Sequence, residues 1–292
     1  SAVGGNADRL GSLLAGPLLA CALVGAGGSA RALGAMRAGR SRRARSWRTW
    51  ALVGLAPLLL YWQLRAPVAD YVSAVGDPAA QRTYYAPLLG ELGRLRIGYD
   101  ARAARIEVVP SRDHAEARWV AARVALARGW ERQLDTSRDA LFYTGAARLS
   151  ASGYATWLHA HAVSYVALAD APPDYSARAE ARLVRTVPSY LREVWRSPHW
   201  RLFAVVAPTP LAQAPGVLTR LETDSFVLRA PRAGSYLVRV RFTSYWALAG
   251  SRGCVRRARD GWTTVQTHAP GVVRVAIEFS LSRVFDDGPR CR

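Results

Sequence analysis

The sequence contains no lysine, and all 40 basic residues are arginine. An arginine-only basic set beside abundant alanine and glycine is the mark of a GC-rich coding sequence. The net charge of +19 is therefore weak evidence for phosphate recognition. That charge is also dispersed. Residues 1–65 carry +8 of it, from nine arginines and Asp8, and the other +11 forms no stripe. Nucleic-acid binding is not expected. Cysteine is scarce, with three residues, and none has the close spacing of a zinc site. A Gly-x-Ser-x-Gly elbow, a P-loop and a dinucleotide fingerprint are all missing.

Charge is absent from two further stretches. Residues 10–30 and 49–64 are apolar, and the segment between them holds Arg31, Arg37, Arg40, Arg42, Arg43, Arg45 and Arg48 with no acid. About 20 apolar residues cross a bilayer as a helix, and an arginine excess keeps a connecting loop on the cytoplasmic side. Trp47, Trp50, Tyr61 and Trp62 stand where interfacial aromatics belong. The pattern predicts two transmembrane helices within residues 1–65. Loop 31–48 is then cytoplasmic, and residues 66–292 are extracytoplasmic at the plasma membrane, in contact with membrane lipids.

Beyond residue 65 the period of the pattern separates two units. In residues 66–210, Tyr154, Trp157, Leu158 and His161 recur at helical spacing. Residues 163–168 read as a short apolar strand, and 190–196 with 199–206 as a hairpin. A helix is expected over 80–95, and another from near Ser176 with Leu183, Val184 and Val187 inward. Residues 105–109 have strand chemistry, and 117–125 read as a second strand. In residues 217–292 the period becomes two: Val238, Val240 and Phe242 alternate with Leu237, Arg239 and Arg241, and Val273, Val275, Ile277 and Phe279 repeat the pattern. The expected fold is a membrane α-helical hairpin, an extracytoplasmic α/β (α+β) unit and a C-terminal antiparallel β-sandwich. In an oxidising compartment Cys254 and Cys291 are candidates for a disulfide, whereas Cys21 reads as a packing residue.

The densest ionisable cluster is Arg112, Asp113, His114 and Glu116. On a loop after a strand such residues bind a phosphate, sugar hydroxyls or a divalent ion; equally, they form a solvated loop of local ion pairs. Trp130, Glu131, Arg132 and Asp135 have the same two readings, sugar recognition or a packed turn. His159 and His161 are two apart and do not share a helix face, so they make no metal pair. Tyr245, Trp246 and Trp262 either stack on sugar rings or fill the sandwich core. No metal site is assigned in this stretch of chain.

Several segments resemble the C-terminal part of bacterial, especially actinobacterial, multipass membrane proteins. They include Gly-Gly-Asn6-Ala-Asp-Arg9, Tyr84-Tyr85-Ala-Pro-Leu-Leu, Arg112-Asp-His, Arg128-Gly-Trp130-Glu-Arg-Gln-Leu-Asp135, His199-Trp200 and Val238-Arg-Val-Arg-Phe-Thr-Ser-Tyr-Trp246. The group is the 6-pyruvoyl-tetrahydropterin-synthase-related membrane proteins, whose architecture is similar to GT-C glycosyltransferases; the tail also resembles YfhO-type proteins. The resemblance implies transfer of a sugar from a polyprenyl-phosphate donor to an envelope glycan acceptor. The outer domain would cap the site or read the acceptor. The catalytic acid, with any divalent metal, would lie on a loop outside these residues, so no catalytic residue is carried over. The alternative is a non-catalytic module that binds envelope glycan or assembles a membrane complex.

Overall fold

The computed structural model describes Leu14, residues 16–18, Cys21 and residues 41–99, 101–129, 136–143, 149–249 and 253–279. The chain divides into two compact units, Ser1–Asp77 and Pro78–Arg292.

In the first unit the helix α1 (Ser41–Val75) runs through Pro57 and Pro67. Among the described residues no helix is long and apolar enough to cross a membrane. The expected hairpin is therefore corrected. Residues 41–48, expected as part of a cytoplasmic loop, are the opening turns of α1. The apolar run 49–64 continues in the same helix for roughly 24 Å, short of a hydrocarbon core of about 30 Å. It is further diluted by Trp50, Pro57, Tyr61, Trp62 and Gln63. Most of the other expected span, 10–30, lies outside the described residues. The plasma-membrane topology and the GT-C-like membrane architecture fall with the hairpin; the α/β unit and the sandwich stand.

The second unit opens with α2 (Arg82–Arg94), where the helix over 80–95 was expected. Its Tyr84, Tyr85, Leu88 and Leu92 are buried on one stripe. A five-stranded sheet follows in the order β2-β1-β3-β5-β4. Its strands are β1 (Arg105–Val108), β2 (Ala125–Leu126), β3 (Val163–Ala169), β4 (Leu191–Arg196) and β5 (Trp200–Val205). β1 is parallel to β2 and β3, whereas β5 runs antiparallel to both β3 and β4.

Strand periodicity sorts the side chains into two layers. Ile106, Val108, Ala167, Ala169, Trp200 and Leu202 face α2 and the short helix α3 (Glu116–Trp119). Val166, Leu168, Phe203 and Val205 face α4 (Ala151–Ala160) and α5 (Arg178–Arg185). On α4, Tyr154, Trp157 and Leu158 are buried at the helical spacing expected of them, and Ser150 caps the helix by accepting from Gly153 N at 3.0 Å. The second strand expected over 117–125 is instead α3 and turns, with only Ala125–Leu126 extended. Alanine and arginine favour helix, and Val120 and Val124 are buried one turn apart.

The remainder is a sandwich of two antiparallel sheets, β10-β11-β8 and β6-β7-β12-β9. The strands are β6 (Val217–Leu221), β7 (Ser225–Ala230), β8 (Gly234–Arg241), β9 (Trp246–Ala249), β10 (Gly253–Arg257), β11 (Trp262–Thr267) and β12 (Gly271–Ile277). Phe226, Leu228, Val273 and Val275 from one sheet meet Tyr236, Val238 and Val265 from the other. Trp262 is buried and Trp246 packs against Phe226, so neither is a stacking platform. Cys254 is disulfide-bonded and Cys21 is a free thiol; Cys291 lies outside the described residues.

Val187, expected to face inward, sits just past α5 at φ +49° and is partly exposed. A β-branched residue in the left-handed region is strained by roughly 1–2 kcal/mol, and the helix C-terminus there suits glycine. Val187→Gly is expected to raise stability by about 1 kcal/mol. A urea midpoint that falls instead would refute the strain.

Candidate functional site

The connections between the parallel strands select one edge of the sheet. The chain leaves β1 through α3 to reach β2, then crosses back over the opposite face through α4 to reach β3. The loops after β1 and β3 therefore diverge at the C-terminal ends of two adjacent strands, where open α/β sheets place ligands. Backbone bonds tie the loops together: Arg112 N donates to Pro172 O and Asp174 N to Pro110 O, both at 2.9 Å. β5 starts at the same edge, since Trp200 is opposite Ala169 and Asp170 N donates to His199 O at 3.0 Å.

Beneath the surface of this edge lies a relay of five side chains. Glu116 Oε2 accepts from Ser111 Oγ at 2.6 Å, and Asp174 Oδ2 accepts from Ser176 Oγ at 2.7 Å and Ser176 N at 3.0 Å. Each carboxylate turns its other oxygen toward His114, Glu116 Oε1 at 3.3 Å from Nδ1 and Asp174 Oδ1 at 3.6 Å from Nε2. These are ion-pair distances, outside hydrogen-bond geometry. Asp174 and then Glu116 hold the imidazolium proton against the opposing effect of burial and push His114 up to about 9. The ring reaches that position because His114 takes φ +52° at the tip of the loop.

Above the relay the edge presents polar groups to solvent. Arg112 is 59% exposed, with Nε 3.8 Å from Asp113 Oδ1. Tyr175, next to Asp174 in sequence, is also exposed. Asp170 and His199 are 55% and 53% exposed and joined by an Nδ1···Oδ2 contact of 2.9 Å. The Tyr84 hydroxyl donates to Asp170 Oδ1 and accepts from Ala171 N at 3.1 Å. Burial and then Asp170 push that hydroxyl above its ordinary range. Partial burial works against Asp170 ionising, but the Tyr84 and His199 bonds prevail and hold it low. The Tyr84 ring packs against His199, with centroids 5.1 Å apart and the rings tilted by 33°.

Of the residues singled out by sequence, Arg112, Asp113, His114 and Glu116 meet at this edge; Trp130, Glu131, Arg132 and Asp135 lie outside the described residues. The sequence reading missed Tyr84, Asp170, Asp174, Tyr175 and Ser176 as site residues, and it did not connect His199 with this edge. Only the register of β3 against β5 brings His199 to Asp170, and that register has no local sequence signature. Among the described residues no group of three or more histidine, cysteine or acidic side chains could hold a metal ion. His114 is committed to its two carboxylates.

A second constellation is sealed in the core. Arg128, just after β2, bonds to Glu107 Oε1 through Nε at 2.9 Å and Nη2 at 2.7 Å, and its Nη2 also reaches Glu180 Oε2. Tyr154 OH donates to Glu180 Oε1 at 2.7 Å, and the guanidinium lies 3.6 Å over the Phe142 ring. Arg128, Glu107 and Glu180 are each 1% exposed or less. Burial pushes both carboxyls up, Glu107 well above the ordinary range, while Arg128 opposes the rise. No ligand in solvent reaches these acids.

Two outcomes follow from these bonds. In the folded chain His114 keeps its proton to about pH 9, against 6.5 unfolded. Its contribution is complete below pH 6.5 and is lost as pH rises through 9. The stability gap between the native protein and His114→Asn, a residue that tolerates the same φ, should therefore shrink between pH 6 and pH 10. An unchanged gap rejects the ion pair. Arg128→Ala should cost about 3–5 kcal/mol in urea unfolding, because it strands two buried carboxyls; a cost under about 1 kcal/mol would show that the network carries no weight. No family model matches the chain, and no curated protein or solved structure matches it.

Proposed function

We propose that the chain is a non-catalytic glycan-binding module that holds a sugar at the C-terminal edge of β1 and β3. One observation carries the reading: the edge at the ends of β1 and β3 exposes Arg112, Asp113, Asp170, Tyr175 and His199 over buried Ser111, Glu116, Asp174 and Ser176 and the Tyr84 hydroxyl. Planar carboxylate and guanidinium groups match pairs of sugar hydroxyls, and the exposed Tyr175 ring, which meets Tyr143 at 6.4 Å between centroids, offers an aromatic surface on the loop after β3. Rigid support keeps the ordering cost of binding small.

Sugar transfer or hydrolysis asks in addition for a carboxyl held near neutral pH within reach of the glycosidic bond. The described carboxyls that are pushed upward, Glu107 and Glu180, are sealed in the core, and the exposed Asp170 is held low. Binding without turnover is what such a row supports.

The test is a glycan array followed by calorimetry on the intact protein. Losing a hydrogen bond to a charged group costs about 1.5–3 kcal/mol, so Arg112→Ala and Asp170→Ala should each weaken a retained glycan tenfold or more. Their melting temperatures should stay close to that of the native protein. An array without a retained glycan, or hits indifferent to both substitutions, rejects the assignment.

A further inference from the structure

The opposite end of β1 carries a different chemistry. Arg105, its starting residue, is buried at the seam between the α/β unit and the sandwich. Its Nη1 donates to His161 O and its Nη2 to Arg239 O, both at 2.6 Å. Both acceptors are neutral carbonyls. Among the described residues no carboxylate pairs with this guanidinium, and its charged neighbours are further arginines.

Arg241 converges on the same place. Its guanidinium lies 3.9 Å over the Trp262 ring, and Arg105 stands 5.6 Å from the same centroid. Arg241 Nη1 donates to Asp260 O and Nη2 to His161 Nε2, each at 3.1 Å. Arg239 donates to Pro210 O at 3.0 Å. Burial pushes His161 down; Nδ1 donates to Trp157 O at 3.0 Å, and Nε2 faces Arg241 Nη2 and lies 3.4 Å from Asp139 Oδ1. Counting Arg138, four arginines face two carboxylates, Asp139 and Asp260, and Asp139 already accepts from Trp157 Nε1 at 2.7 Å. Burial and then the Arg241 and Arg239 charges push Arg105 down to about 10. A buried cation among like charges is costly unless an anion joins it.

We infer that this seam binds an oxyanion of the phosphate class, taken up by Arg105, Arg239 and Arg241. Guanidinium forks match tetrahedral oxyanions in paired hydrogen bonds, and Trp262 with His161 fixes the forks in place. The phosphate is either free or the ester of a larger ligand. The shared recognition chemistry is the same.

The test is thermal unfolding of the intact protein at constant ionic strength, with chloride replaced by inorganic phosphate, and in parallel by glucose 1-phosphate. At a hundredfold excess over Kd the melting temperature should rise by about 5–10 °C. Arg239→Gln and Arg241→Gln should each reduce affinity tenfold or more while the ligand-free protein still unfolds cooperatively. Should Arg241→Gln fail to fold, Arg239→Gln decides alone, since Arg239 is only partly buried. Tighter binding of glucose 1-phosphate assigns the site to an ester, and equal binding to the free ion. Equal melting in chloride and both phosphates overturns the site, as does a shift that survives Arg239→Gln.

Discussion

A single buried arginine ties two helices to the central sheet of the second unit. Arg128 enters the layer between the sheet and α4 and α5 with its charge intact, and a charge there is tolerated only when every partner is present. Its partners come from three separate elements: Glu107 from β1, Glu180 from α5, and Tyr154 from α4 through Glu180. The network therefore fixes the two helices against the strand whose far end leads into the loop of Arg112 and His114. One arginine between two carboxyls leaves a surplus negative charge. Burial pushes both acids up, and the Glu180 charge adds to the push on Glu107. An apolar core would fill the same volume with less risk, but it would not select this arrangement of helices over a slid one.

Much of the fold was legible because burial follows period. α4, β3, the β4–β5 hairpin and two of the sandwich strands, β8 and β12, lie where spacing placed them, since each buries one face or one stripe. The failures share another cause. β1 reads as Arg-Ile-Glu-Val, an alternation that suggests one wet face, yet all four residues are buried. Its charged side chains bond to residues 21 to 134 positions away, which no window on the sequence contains. The edge site was legible in part for the same reason. Arg112, Asp113, His114 and Glu116 are contiguous and stood out, whereas Asp170, Asp174 and His199 join them only through strand order.

The membrane expectation failed on length and dilution. Apolar residues are plentiful in α1, and Leu58, Leu60, Tyr61 and Trp62 are exposed along it. Counting them between arginines suggested a span. A bilayer measures the uninterrupted rise, and 49–64 is too short and too rich in aromatic and polar side chains to supply it. The arginine-rich segment had an equally local explanation. Residues 41–48 continue into the helix without a break.

β1 thus connects three chemistries along one short strand, and the order in which they occur matters. At its start Arg105 is buried with neutral carbonyls and other cations; in its middle Glu107 is buried with a cation; past its end the chain turns at His114, a cation held by two anions. Two of these charges are compensated inside the protein and one is not. Protein interiors do not retain an uncompensated charge by packing alone. The asymmetry is therefore informative. Where the compensation is internal, as at Glu107 and His114, the residue serves the fold, and removing its partner should be felt as lost stability. Where it is missing, at Arg105, two neutral carbonyls hold the guanidinium and the proposed anion would supply the opposite charge. A tetrahedral anion of high charge is the partner that guanidinium forks accept best.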